Sequence, residues 1–254
     1  MNEEQIERYR QDGFLLLPGM FAAEELDAFE QRFVALASGE EQAPSRMIVM
    51  RDVMVVRGAV DVADPVAGVN KILSFEDDPS LFAYALSPDL LAAVRALVGP
   101  SIETISTNVF NKPPGLDSRH PLHQDLRYFT LRPADGIVGT WTAISRCTRE
   151  NGCLAVVPGS HRGPLFEHAS PEWEYVNYGF FAAKDAPTAE RVHLEMQPGD
   201  TLLLHPLLLH GSGRNKSTGY RRAISAHFAS LDCTRSDGPR KREPVTMRIP
   251  DSQG

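Results

Sequence analysis

From residue 102 onward the chain breaks into short apolar segments, at 102–110, 122–130, 137–144, 153–157, 192–196, 201–204 and 221–229. Clusters of turn residues part them, among them Lys112-Pro113-Pro114-Gly115, Glu150-Asn151-Gly152, Pro158-Gly159-Ser160 and Pro198-Gly199-Asp200. Each segment has the length of a strand, and no helical pattern alternates with them. That excludes a βαβ sheet and predicts a sandwich or jelly roll. The first hundred residues read differently. Ile6, Tyr9 and Arg10 share a short polar helix that stops at Asp12-Gly13, and 14–18 reads as a strand. Over 22–37, Leu26, Phe29, Phe33 and Leu36 recur at helical spacing behind Glu24 and Glu25. A further helix is expected over 88–98, with Ser87 as N-cap, Pro88 in the first turn and Gly99 as the stop. The fold class is therefore mainly β with flanking helices. A single domain over 1–254 is expected, with a helical part over about 1–100, a β-core over about 101–232 and a polar tail over 233–254.

Charge narrows the partners. A net charge of −7 argues against tracking a nucleic-acid backbone. No apolar run reaches the roughly 20 residues of a membrane span. The first residues, Met-Asn-Glu-Glu-Gln-Ile, lack the pattern of a signal peptide. Cys147, Cys153 and Cys233 are odd in number and form no CxxC, which reads as reduced thiols in a cytoplasmic protein.

The chemistry centres on His120-Pro-Leu-His123-Gln-Asp125-Leu126. Residues two apart on a strand share a face, so His123 and Asp125 can reach one cation. A third ligand is available from His205 or His210, which flank Pro206-Leu-Leu-Leu209. Two imidazoles and one carboxylate leave open positions on an octahedral metal, the arrangement of non-haem Fe(II) oxygenases. Arg221 and Arg222 then open a β-like run. Strand alternation lets only one of them face inward, where its planar fork can pair with a carboxylate. His161, His168, His193 and His227 show no ligand spacing and read as structural.

The residues carrying a family resemblance are Asp12-Gly13-Phe14-Leu15, Met50-Arg51-Asp52-Val53, Asn111-Lys112-Pro113-Pro114 and Ser118–Leu126. They continue through Trp141-Thr142-Ala143, Asn151-Gly152-Cys153-Leu154, Pro158-Gly159, the run 205–216, Arg221, Ala223-Ile224-Ser225 and His227–Ser230. Over roughly residues 3–233 the chain resembles the phytanoyl-CoA dioxygenase family of Fe(II)- and 2-oxoglutarate-dependent oxygenases. The resemblance implies a double-stranded β-helix core, the cupin-like form of the jelly roll. It implies His123, Asp125 and His210 as iron ligands, to the exclusion of His120 and His205. It implies Arg221 on the distal carboxylate of 2-oxoglutarate, with further co-substrate contacts from Lys71, Gln124, Trp141 and Ser212. Asn108 stands at another co-substrate position, where a close relative carries methionine.

Iron, 2-oxoglutarate and O₂ are the implied cofactors and co-substrates, with ascorbate as a stimulant. Halogenating members of the superfamily have a small residue where Asp125 stands, so hydroxylation is the implied outcome. The candidate substrate is a branched fatty acyl-CoA hydroxylated at C2. A small polar metabolite is the alternative, and a non-catalytic metal-containing β-barrel is the remote one. Two departures bear on this choice. The amino-terminal targeting segment of a peroxisomal relative is missing, which implies a cytosolic protein, and the chain ends soon after the last core strand. Arg119, Arg127 and Arg132 flank the metal motif as candidate contacts for CoA phosphates, and Arg240, Lys241 and Arg242 offer more in the tail. Trp173 and Tyr175 lie in the stretch 160–190, which has little secondary-structure signal.

Overall fold

The computed structural model describes residues 1–187, 191–236 and 246–250. Arg240, Lys241 and Arg242 therefore lie outside the described residues. In chain order the strands are β1 (Phe14–Leu17), β2 (Ile48–Arg51), β3 (Val69–Leu73), β4 (Ile102–Lys112), β5 (His120–His123) and β6 (Ile137–Ala143). Then come β7 (Leu154–Val156), β8 (Val192–Leu194), β9 (Thr201–Leu204), β10 (His210–Ser212), β11 (Arg221–Ser230) and β12 (Met247–Ile249). All pair antiparallel. The larger sheet runs β1–β9–β6–β11–β4–β3–β2, with β12 added to β4. The smaller runs β8–β7–β10–β5. Two short strand pairs, Leu131–Arg132 with Thr234–Arg235 and His168–Ala169 with Ala182–Ala183, complete the β structure of the described residues.

Helices cover the outer face of the larger sheet. Helix α1 (Glu3–Asp12) begins on a reciprocal pair: Gln5 N–H donates to Asn2 Oδ1, and Asn2 N–H donates to Gln5 Oε1. It ends on Gly13 at φ 81°, a left-handed conformation that favours glycine. Helix α2 (Ala23–Ser38) buries Leu26, Phe29, Phe33 and Leu36, the stripe expected from its spacing. Helix α3 (Pro88–Val98) buries Leu90, Leu91, Val94 and Val98. Ser87 stands at its N-cap, but the hydroxyl makes no capping bond there.

The two faces of β11 set the layers. Ile224, Ala226 and Phe228 pack into the cluster that holds α2 and α3. Ala223 packs instead with Trp141, Leu154, Val156 and Leu202 between the two sheets. That alternation puts Arg221, Ser225 and His227 on the inter-sheet face.

Two expectations needed correction. The strand foreseen over 122–130 ends at His123, and Asp125–Tyr128 form a 3₁₀ turn held by the bond from Leu126 N–H to Pro206 O. Asp125 thus reaches the site from a turn and not from a shared strand face. The supposedly helical first hundred residues also supply β2 and β3 to the larger sheet. These strands are short, and Asn70 and Lys71 interrupt the apolar signal of β3. The double-stranded β-helix itself stands, two antiparallel sheets face to face with helices on the outer side.

Candidate metal centre and co-substrate cavity

Strands β5 and β10 pair with His123 directly opposite His210. Asp125, on the turn that follows β5, completes a cluster whose three ligand atoms lie within 4.8 Å of one another, all buried. His123 Nε2 is 3.3 Å from Asp125 Oδ1, and His210 Nε2 is 3.6 Å from Asp125 Oδ2. The backbone sets the tautomers. His123 Nδ1–H donates to Pro121 O at 2.8 Å, and His210 Nδ1–H donates to Leu208 O at 3.0 Å. Each ring that donates from Nδ1 directs its Nε2 toward Asp125, the nitrogen a metal would take. Burial lowers the His210 imidazole to about 4 against the opposing pull of Asp125, so the ring is neutral at ordinary pH. Burial would raise the Asp125 carboxyl, but His210 and His227 outweigh it and hold it well below the usual carboxylate range. Two imidazoles and one carboxylate match the donor set of a non-haem Fe(II) site.

His227, read from sequence as structural, braces this site. Its Nε2–H donates to Asp125 Oδ2 at 2.9 Å. A Cβ at Gly139 would come within 2.9 Å of that ring, so glycine there makes room for the brace. His227 is 102 residues from Asp125, and ligand spacing gave no clue to it. The usable signal was period two along β11, which puts 221, 225 and 227 on one face.

His205 lies elsewhere. Its Nε2–H donates to Asp135 Oδ1 at 3.0 Å and its Nδ1 accepts Leu207 N–H, away from the three ligand atoms. His120 sits at the cavity wall, with its ring 4.0 Å from that of Phe180, and takes no part in the cluster.

The triad opens into a cavity of ≈ 580 Å³ between the sheets. Lys71, Asn108, Trp141, Ser212 and Arg221 line the same cavity. Arg221 is 2% exposed, forms no ion pair among the described residues, and leaves Nε without a partner. Its guanidinium lies 5.4 Å from the Trp141 ring centre. The Ser212 hydroxyl is also buried and unpartnered. A buried cation and a spare hydroxyl lining one cavity fit a carboxylate that both would hold. Lys71 adds positive charge, with Nζ 5.0 Å from the Phe180 ring centre. Burial lowers its pKa to about 8, opposed by Asp125. Asn108 donates to Ser106 Oγ at 3.2 Å.

Gln124 stands apart from these. Its Nε2 donates to Pro164 O and Leu207 O, and its Oε1 accepts Phe166 N–H. The structure places it behind the metal cluster as a brace between loops, and it does not line the cavity. Its neighbours point their side chains inward while its own amide is spent on backbone. Arg222 faces the helices, donating from Nε to Asn111 Oδ1 and pairing with Glu30.

Comparison with known proteins agrees with this geometry. The family described as Phytanoyl-CoA dioxygenase (PhyH) matches residues 9–223. The chain is 43% identical over 235 residues to the peroxisomal phytanoyl-CoA dioxygenase of Mus musculus, covering 91% of this chain and 69% of that one. Among solved structures it resembles EvdO2 from Micromonospora carbonacea var. aurantiaca complexed with 2-oxoglutarate, with TM-score 0.71, 22% identity and 95% of each chain covered. It also resembles the epimerase SnoN in complex with Fe³⁺, alpha ketoglutarate and nogalamycin RO, with TM-score 0.70, 20% identity, and 96% and 94% covered.

Proposed function

The chain belongs to the phytanoyl-CoA dioxygenase family, and from that premise we propose that it hydroxylates C2 of a branched fatty acyl-CoA such as phytanoyl-CoA. It is an Fe(II)- and 2-oxoglutarate-dependent dioxygenase. The observation that carries the residue roles is Arg221, a buried cation without a counter-ion in the cavity that holds the triad.

In this reading His123, Asp125 and His210 hold the metal, and His227 keeps the Asp125 carboxylate turned toward it. Iron, when bound, supplies the activation of O₂ and the cleavage of the C–H bond. Arg221 and Ser212 hold the distal carboxylate of 2-oxoglutarate, which directs its other end to the triad. Lys71 contributes charge from the side, and Trp141 shapes the wall. Met50, Leu73, Phe129 and Phe181 make much of the remaining lining apolar. That lining suits an aliphatic chain and keeps water from the reacting carbon.

The charge on Lys71 gives a pH signature. Its pKa in the folded chain, about 8, lies below the ordinary lysine value, so the cation is lost as pH rises through 8. The apparent KM for 2-oxoglutarate should climb by roughly tenfold between about pH 7 and about pH 9, in step with the protonated fraction. Lys71→Met should raise KM at neutral pH and flatten the profile. An unchanged profile in that variant would remove Lys71 from the co-substrate site.

The CoA part rests on the basic residues that flank the metal motif in sequence. Arg132 is spent on the carbonyls of Phe129 and Leu131. Arg119 pairs with Asp117 and lies 4.1 Å from the Trp173 ring centre. Arg127 forms no ion pair among the described residues and lies 5.0 Å from the ring centre of Phe181, itself part of the cavity wall. It is the better phosphate contact of the three. The test is succinate release with Fe(II), ascorbate and 2-oxoglutarate, with and without acyl-CoAs. Phytanoyl-CoA should stimulate it, its KM should rise with added salt, and Arg127→Gln should raise KM and weaken the salt response. If no acyl-CoA stimulated succinate release and a small polar metabolite did, the substrate class would pass to the latter. A reducing compartment such as the cytoplasm suits Cys147, Cys153 and Cys233, all free thiols.

A further inference from the structure

Five buried polar atoms without a hydrogen-bond partner belong to side chains that line the cavity: His120 Nε2, Ser212 Oγ, Arg221 Nε, Ser225 Oγ and His227 Nδ1. Ser212 and Arg221 have a ligand in the reading above, and His227 already serves Asp125 through its other nitrogen. Ser225 has no task, yet it is only 2% exposed. A buried hydroxyl without a partner bears its full desolvation penalty, which a bound acceptor offsets.

Its place on β11 says which acceptor. Ser225 is four residues past Arg221 and two before His227, on the same face of the strand. At about 3.3 Å of rise per residue, it stands near the metal end of the line from the arginine to the triad. Ala223, between them on the same face, is short and fully buried in the cluster that holds Trp141 and Leu154. Ser225 pairs directly with Asn108 on β4 and Trp141 on β6, and both line the cavity. With Arg221 and Lys71 making this space positive, an oxygen carrying negative charge is the fitting acceptor.

We infer that the Ser225 hydroxyl donates a hydrogen bond to an oxygen of the 2-oxo-acid end of 2-oxoglutarate and so orients the co-substrate at the metal. This rests on the proposed direction of the co-substrate, from Arg221 to the triad. The other source of the same chemistry is the carbonyl oxygen of an acyl substrate, and the two are separable.

The first measurement is an anaerobic calorimetric titration of 2-oxoglutarate into Fe(II)-loaded protein, with no second substrate present. Ser225→Ala should raise the Kd by about 10–100-fold, the loss of one hydrogen bond to a charged oxygen. Fe(II) affinity should stay unchanged, which separates this role from the bracing of Asp125. Ser225→Cys preserves the side-chain volume with a weak donor and should also bind 2-oxoglutarate more weakly. An unchanged Kd in Ser225→Ala overturns the proposal. If the Kd holds while the KM for phytanoyl-CoA rises, the oxygen belongs to the substrate and the co-substrate assignment is overturned. Loss of folding in both variants would make Ser225 a packing residue and overturn it as well. Arg221→Lys in the same titration tests the underlying reading: an unchanged Kd there would sink the direction of the co-substrate, whatever Ser225 does.

Discussion

Asp125→Ala should leave no measurable turnover and should cost Fe(II) affinity more than the roughly 10–100-fold that follows loss of an outer-shell partner. The carboxylate is approached by Nε2 atoms of three histidines, at 2.9 Å from His227, 3.3 Å from His123 and 3.6 Å from His210. Removing it takes away both a ligand and the anion that opposes desolvation of the His210 ring. His123→Ala should behave alike, since its Nε2 is presented by a backbone bond that no neighbour can replace. His205→Ala is the internal control. That ring is engaged with Asp135 and Leu207, so Fe(II) affinity should stay within about twofold. Calorimetric titration of Fe(II) under nitrogen, with succinate release as the activity readout, decides all three. Near-normal activity in Asp125→Ala would refute the metal assignment, and full metal loss in His205→Ala would make His205, not His210, the distal ligand.

Arg221→Lys should raise the apparent KM for 2-oxoglutarate by about 10–100-fold, the cost of losing charge-assisted bonds from a planar fork. The lysine keeps a charge but not the two-pronged geometry. Arg222→Lys makes the same chemical change one residue away, and its effect should fall on another quantity. Arg222 joins β11 to α2 through Glu30 and holds Asn111 through Nε. Its variant should keep the KM within about twofold and lower the unfolding temperature by about 2–4 °C for each kcal/mol lost. Equal effects on KM from both changes would contradict the strand-face assignment.

The strand pattern of the second half was legible because its turns are strongly marked, and 201–204 coincides with β9 residue for residue. Strands β2 and β3 were not legible. They are short and lie among helical signals, and β2 has no fully buried residue to mark it. The HxD motif led to a three-ligand cluster by an argument that holds only in part. His123 is on a strand as supposed, but Asp125 sits on a turn, so proximity comes from the turn and not from the pleat. Lys71 shows a different limit. Nothing in Gly68-Val69-Asn70-Lys71 distinguishes a solvated lysine from a cavity-lining one, and only the resemblance singled it out. Gln124, singled out by the resemblance as a co-substrate contact, is spent otherwise in this structure. It lies between two candidate ligands in sequence, yet backbone carbonyls and an amide take up its whole side chain.

The two-sided character of β11 has a consequence for how this chain tolerates changes in length. Adding or deleting one residue in the turn over 213–219, before the strand begins, leaves the strand's pairing with β4 and β6 intact. One residue inserted early in the strand itself advances the rest by one position, and every later side chain changes face. Ser225 and His227 would then turn toward the helices, while Ile224 and Phe228 would enter the cavity. Such an insertion strips the brace from Asp125 and opens the helical core in one step. Among related chains, length variation is therefore expected to collect before Arg221 and to be absent from Arg221 to Ser230, a pattern that single-residue insertion libraries scored by protein abundance would reveal.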